Sequence, residues 1–295
     1  MILREKAYAK LNISLDVTAR RPDGYHEMLM VMQTVSLCDE LTLTPGGSGV
    51  RARSNLHYMP HDERNLAVRA ALRWREASGF DGPEGLEIDI RKRIPVGAGM
   101  GGGSSDAAAV LRALDRAAET PLGPEALAAL AGAIGSDVSF CLTGGTMLAT
   151  GRGELLQPLP NMPPCRFVIV KPSFSISTPE LFRRLDAASL RIHPDTAGLL
   201  DALRAQDLPV LARRMYNVFE DVDDRRMRSI RQIKGELLDG GALGAVMTGT
   251  GSAVFGVFAE AEAAEACCAK LKQEYPFACT AEPVGPLLQT TDVNG

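Results

Sequence analysis

The chain has 295 residues, 45% of them apolar and 23% charged, with a formal net charge of −4. That length buries a large core and makes two domains the natural expectation. The mild acidity gives no reason to expect nucleic acid, and no apolar run is long enough to span a bilayer. Charges at Arg4, Glu5 and Lys6 interrupt any signal-peptide pattern. Cys38, Cys141, Cys165, Cys267, Cys268 and Cys279 show no C-x-x-C spacing. They read as reduced, buried thiols of a cytoplasmic protein, not as a disulfide framework or a zinc site.

The first strand is expected over residues 7–17. Leu11, Ile13, Leu15 and Val17 alternate with Lys10, Asn12, Ser14 and Asp16. The polar set is expected to form a wet face, with Lys10 and Asn12 pointing the same way. Arg20-Arg21-Pro22-Asp23-Gly24 signals a turn. It leads through Tyr25 and His26, at a loop-to-strand junction where binding groups are common, into an apolar strand over 28–35. A further strand covers 41–44. Asn65 opens a helix that carries Leu66, Ala70 and Trp74 on one face and stops at Gly79. An alternating strand over 86–90 then passes through Arg91, Lys92 and Arg93, of which at least two are expected to be solvated.

Residues 95–106, Pro95-Val96-Gly97-Ala98-Gly99-Met100-Gly101-Gly102-Gly103-Ser104-Ser105-Asp106, form the most informative stretch. Glycines that open into an alanine-rich helix bring free N–H groups and the helix dipole to one point, which favours a phosphate. Ser104, Ser105 and Asp106 suit the helix cap and first turn. No Lys-Ser or Lys-Thr pair follows the last glycine, so a Walker loop is excluded. Gly97, Gly99 and Gly102 fit G-x-G-x-x-G. However, the half-exposed strand before them and the lack of a second strand after the helix argue against a dinucleotide fold.

A helix follows from Pro124 to Ile134, then Gly135-Ser136-Asp137-Val138, where Ser136 or Asp137 is as readily a turn cap as a reactive group. After a strand over 146–150, periodicity is lost across the proline-rich residues 158–164, which reads as a domain boundary. A buried strand over 167–170 ends at Lys171-Pro172. Pro179 starts a helix that carries Phe182. Helices continue to about residue 238. Strands over 245–247 and 253–258 flank Thr248-Gly249-Thr250-Gly251-Ser252, which reads as a hairpin turn or as support for the phosphate site. A helix over 259–273 and a strand over 277–280 close the chain, and residues 290–295 are expected to fray.

The glycine loop resembles that of the GHMP kinases. Ala9-Lys10-Leu11-Asn12, Asp23-Gly24-Tyr25-His26, Gly135-Ser136-Asp137-Val138, Lys171-Pro172 and Met247 to Ser252 extend the likeness over nearly the whole chain. The Asp-Gly-Tyr-His segment is similar to the branch that acts on a cytidine-diphosphate-linked methylerythritol. The resemblance implies a two-domain α+β fold, divided here as 1–158 and 159–295, with ATP and substrate meeting in the cleft between. It implies ATP-dependent phosphorylation of the tertiary 2-hydroxyl, a step of the non-mevalonate isoprenoid pathway. Asp137 would be the general base and Lys10 its partner. Asn12, Tyr25, His26 and Phe182 would bind substrate. Pro95, Gly97, Gly99, Gly101, Gly102, Gly103, Ser104 and Ser105 would bind ATP, with Asn65 a candidate adenine contact. Thr248, Gly249 and Gly251 would support the phosphate site. Magnesium is expected to travel with ATP; its ligands are not legible, and Ser105 is the single candidate. Other implied features are a small-molecule substrate, no nucleic-acid or membrane partner, and a monomer or homodimer. A mevalonate- or homoserine-type kinase and a non-catalytic protein of the same fold are the alternatives. Ser136 and Ser139 stand where the family usually has Ala and Pro.

Overall fold

A computed structural model describes residues 1–80, 85–188 and 192–288; the expected fraying over 290–295 lies outside them. The chain begins with two long antiparallel strands, β1 (Leu3–Arg20) and β2 (His26–Pro45). The strands expected over 28–35 and 41–44 are thus one continuous strand. The far edge of β2 pairs first with β5 (Thr146–Thr150) and then with β4 (Leu86–Arg91), and β3 (Val50–Ser54) runs parallel to β4. β6 (Leu155–Pro158) extends β5.

The wet face expected on β1 is not found: Lys10, Asn12, Ser14 and Asp16 are all buried. The simple alternation also fails. The register slips between Asn12 and Ser14, where two β1 residues oppose one on β2. Such a bulge turns the side chains beyond it to the other face. Leu15 and Val17 therefore join one core cluster, with Met28, Met30 and Met32, whereas Leu11 and Ile13 join another, with Val31 and Val35. Lys10 and Leu15 end up lining the same cavity.

The helices α1 (Leu66–Ser78), α2 (Gly102–Ala117), α3 (Pro124–Ile134) and α4 (Ser136–Thr143) cover the first sheet. The α2 alanines Ala107, Ala108 and Ala109 are completely buried. Their small side chains let β1, α1 and α4 close around one central helix. Gly101, not a serine, precedes the first turn, in the left-handed region at φ 69°. Ser104, Ser105 and Asp106 lie inside the helix, which corrects the cap assignment.

The second sheet has the order β11-β7-β10-β9, all antiparallel, from β7 (Arg166–Lys171), β9 (Gly244–Met247), β10 (Val254–Phe258) and β11 (Phe277–Ala281). Helices α5 (Thr178–Ala187), α6 (Thr196–Arg204), α7 (Leu208–Arg213), α8 (Met227–Asp239) and α9 (Ala261–Glu274) accompany it. Helical structure is interrupted at β8 (Tyr216–Asn217), which pairs in parallel with Ser14 and Leu15 of β1. A single 3₁₀ turn, Val218–Asp221, follows. Residues beyond β11 return to the first half: Pro283 bridges to Val35, and the Leu287 N–H donates to the Thr143 carbonyl. Leu11, Ile13 and Val31 share their cluster with Phe167, Ile169 and Phe255, so the two sheets are joined by a common core. All six cysteines are free thiols and five are buried.

Candidate active site

The glycine loop lies between two cavities. One, of about 270 Å³, is lined by residues 94–103 with Met59 and Lys92. The other, also about 270 Å³, contains Lys10, Asp137, Arg152 and Phe182, and is closed from the second half by Ile176, Thr178, Gly249, Thr250 and Gly251. Gly97, Gly99 and Gly101 line both. The N–H groups of Gly102, Gly103 and Ser104 open α2 without partners inside the helix. The loop is held from behind by the turn between β9 and β10. Thr248 Oγ1 donates to the Gly99 carbonyl at 3.3 Å, and the Ala253 N–H to that of Ala98 at 3.1 Å. A Cβ on Gly99, where φ is 77°, would lie 2.2 Å from the Thr248 carbonyl oxygen. The turn is therefore both a hairpin turn and a brace. Its own anchor is Asn217, whose Nδ2 donates to the Met247 and Gly249 carbonyls.

Lys10 and Asp137 come together from β1 and the first turn of α4. Lys10 Nζ is 3.7 Å from Asp137 Oδ2, with side chains 6% and 40% exposed. Nζ donates to Asn12 Oδ1 at 2.7 Å. Asn12 is wholly buried; its Nδ2 donates to Met30 Sδ, and its N–H to Thr248 Oγ1. These contacts tie Asn12 to Lys10, Met30 and Thr248.

Ser105 also departs from expectation. Its hydroxyl is buried, donating to the Tyr8 carbonyl at 2.7 Å and reaching Cys141 Sγ at 3.2 Å. Its N–H donates to the Gly101 carbonyl. Ser105 belongs to the scaffold, and its buried hydroxyl does not fit a magnesium ligand. Ser104 remains the half-buried hydroxyl at the helix start. Burial raises the Cys141 thiol to about 12, and the nearby Asp137 charge adds to this. Asn65 caps α1: its Oδ1 accepts from the Ala67 N–H and its Nδ2 donates to the Pro60 carbonyl.

Of the three basic residues before the loop, Arg91 and Arg93 pair with Glu40 at the surface. Lys92 is buried between Asp39 (2.5 Å) and Asp106 (2.6 Å). Asp39 Oδ1 also accepts from the N–H groups of Arg93 and Ile94, the residues that lead into the loop. Burial opposes the Lys92 charge, but Asp106 and Asp39 outweigh it and raise its pKa. Burial pushes Asp106 up to about 8 against the pull of Lys92, with Asp39 adding to the rise. One ammonium does not balance two carboxylates, and Asp106 Oδ1 is buried without a hydrogen-bond partner.

At the other end of the cleft, the turn before β2 is built by Gly24 and by Asp23, which accepts from the Tyr25 N–H. Tyr25 is 56% exposed, with the Arg152 guanidinium 4.9 Å from its ring centre. His26 stacks on Phe182 at 4.6 Å, and its Nε2 meets Asp186 Oδ1 at 2.6 Å. Phe219 meets Phe182 edge-on at 4.9 Å. The structure thus joins His26 to Phe182 and covers Tyr25 with Arg152. Sequence reasoning missed Arg152, Asp186 and the Asp39–Lys92–Asp106 cluster. For Arg152 there was a signal, a lone cation between Gly151 and Gly153; Asp39 and Asp186 had none. Lys171 donates to the Pro172 and Phe174 carbonyls, and burial lowers its pKa.

Comparison with known proteins gives this arrangement a family. Residues 65–145 match the GHMP kinases N terminal domain, and residues 199–276 the GHMP kinases C terminal domain. The chain is 43% identical over 270 residues to a 4-diphosphocytidyl-2-C-methyl-D-erythritol kinase of Syntrophomonas wolfei, covering 92% of this chain and 94% of that protein. It is 44% identical over 259 residues to that of Geobacillus thermodenitrificans, covering 87% and 88%. A crystal structure of 4-(cytidine 5'-diphospho)-2C-methyl-D-erythritol kinase superposes with a TM-score of 0.81 at 34% identity, over 96% of this chain and 99% of that one. A homoserine kinase from Cytophaga hutchinsonii shares the fold, with a TM-score of 0.74 at 20% identity over 97% and 95%. The chain therefore belongs to the 4-diphosphocytidyl-2-C-methyl-D-erythritol kinase family of the GHMP kinases, ATP-dependent enzymes that phosphorylate small molecules.

Proposed function

We propose that the enzyme transfers the γ-phosphoryl group of ATP to the 2-hydroxyl of 4-diphosphocytidyl-2-C-methyl-D-erythritol. The observation that carries this reading is the glycine loop shared by two cavities, with Lys10 and Asp137 together in one of them. ATP phosphates lie along the loop, on the free N–H groups of α2 and the Ser104 hydroxyl. The acceptor lies on the side of Lys10 and Asp137. A tertiary alcohol is a weak, hindered nucleophile, so its proton must leave as the O–P bond forms. The Asp137 carboxylate takes that proton, a contribution of about 10²–10⁴ in rate. The bond from the γ-phosphorus to the β,γ-bridging oxygen breaks, and ADP leaves with the electron pair. Lys10, held by Asn12, offsets charge on the transferring group.

Arg152, which lines the same cavity, would meet the substrate diphosphate; its partner Glu154 is 3.7 Å away. The cytosine lies beside Tyr25, His26 and Phe182. His26 already stacks on one face of Phe182, and Phe219 meets that ring at a steep angle. Among the described residues, no three His, Cys, Asp or Glu side chains converge as a metal site. Magnesium, which neutralises phosphate charge in this chemistry, would be held by ATP with Ser104 as the fitting side chain. Residues 1–158 and 159–295 are proposed as the two domains and the cytoplasm as the location. No helix among the described residues is long and apolar enough to cross a membrane.

Phosphorus NMR tests the substrate assignment. Incubation with ATP, magnesium and the proposed acceptor should give ADP and a new phosphomonoester signal. Turnover of mevalonate or homoserine instead would move the substrate and contradict the assignment.

A further inference from the structure

Three elements carry the proposed chemistry: β1 brings Lys10, α4 brings Asp137, and α2 opens from the glycine loop. The buried side chain of Arg112 touches all three. Arg112 lies on α2 nearly three turns from its start. Its Nη1 donates to the Cys141 carbonyl of α4 at 2.7 Å, and its Nη2 to the Lys6 carbonyl of β1 at 3.0 Å. Its Nε donates to Glu5 Oε1 at 3.2 Å, and Glu5 is held from outside by Arg116.

The Cys141 carbonyl is one of the last four of α4, which have no partners inside the helix. The Phe140 carbonyl is met by the Gly144 N–H, that of Thr143 by the Leu287 N–H, and that of Cys141 by Arg112. A cation there also suits the negative end of the helix dipole. Ser105, seven residues earlier and so on the same face of α2, makes a second link, to Tyr8 of β1 and Cys141 of α4. The two links fix α4 lengthwise and in rotation against β1. Lys10 and Asp137, at 3.7 Å, sit just outside hydrogen-bond reach. A small slide or roll of α4 would change that separation and the distance from Asp137 to the acceptor hydroxyl.

We propose that Arg112 is a positioning residue for phosphoryl transfer, tying α4 to β1 so that Asp137 is held in reach of both Lys10 and the acceptor. The inference rests on the reading of Asp137 as the base. Displacements of about 1 Å in such a constellation cost as much as roughly 100-fold in rate. Arg112→Ala should therefore lower kcat by about 10–100-fold with both KM values within about threefold. Millimolar methylguanidine should restore part of the loss. Arg112→Lys, which keeps the cation but reaches fewer acceptors, should fall between, and serves if the alanine variant fails to fold.

The decisive experiment is a cycle with Asp137→Asn, read as single-turnover rates on folded proteins. If Arg112 acts through Asp137, adding Arg112→Ala (or Arg112→Lys) to Asp137→Asn should cost almost nothing further. An equal loss in both backgrounds, or an unchanged kcat in the Arg112 variants, would overturn the inference. Full activity in Asp137→Asn alone would overturn the base assignment instead, so the two failures are distinguishable.

Discussion

Lys92, Asp39 and Asp106 show how a few buried charges can tie the glycine loop to its scaffold. The strand end is pinned by Asp39 and the helix by Asp106, with one ammonium between them. Because Asp106 has its pKa raised in the folded state, folding holds a proton there that the unfolded chain releases. The associated stability is fully present below the ordinary carboxylate pKa and is lost as pH rises towards about 8. Lys92, shifted upward, contributes below the ordinary lysine value and loses that only in strong alkali. Asp106→Asn should thus flatten the fall of unfolding free energy between pH 5 and 8, read by denaturant titration, by a slope of up to about 1.4 kcal/mol per pH unit. Parallel curves for wild type and variant would contradict this. Arg152 makes a second prediction. Arg152→Met should raise KM for the cytidine substrate by about 10–100-fold, since charge-assisted bonds are worth about 1.5–3 kcal/mol, and leave KM for ATP unchanged. Initial-rate kinetics would check it; a shift confined to ATP would place the arginine elsewhere.

Among the elements, the glycine loop and the β9–β10 turn act as one unit. Neither element contains the other's contacts, yet Gly99 and Thr248 are packed so closely that a methyl group does not fit between them. Gly99→Ala must both leave the left-handed region and push the turn away. It should destabilise the protein by about 2–4 kcal/mol and raise KM for ATP. Thermal melting and ATP titration would test it, and an unchanged melting point would show that the junction yields freely. This junction also marks the limit of sequence reading. The strand–loop–helix around residue 95 was legible because glycine conformational freedom and helix ends have local signatures. The α1 cap at Asn65 and stop at Gly79 were legible for the same reason. The face of β1 was not, because a bulge is set by partner register. Ser105 looked like a phosphate ligand, but its hydroxyl was claimed by Tyr8, 97 residues away. Lys10 and Asp137 were named through family resemblance, while their meeting required the fold of α4 against β1.

At the scale of the molecule, two sheets are apparent but their cores are not separate. β8 from the second half extends the first sheet, residues 282–288 return to it, and Leu11, Ile13 and Val31 pack with Phe167 and Phe255. Calorimetry should therefore show one cooperative transition, and a chain ending at residue 158 should fail to fold. Two resolved transitions would contradict the shared core. The proposed site uses the same arrangement: residues from both halves line the cavity that holds Lys10 and Asp137.

The most direct test of Asp137 as the base is the turnover of Asp137→Asn with ATP, magnesium and 4-diphosphocytidyl-2-C-methyl-D-erythritol, alongside its affinity for ATP. With Asp137 as the base, kcat should fall by about 10²–10⁴ with ATP binding preserved. Turnover within a few-fold of wild type would contradict it and remove Asp137 from the reaction.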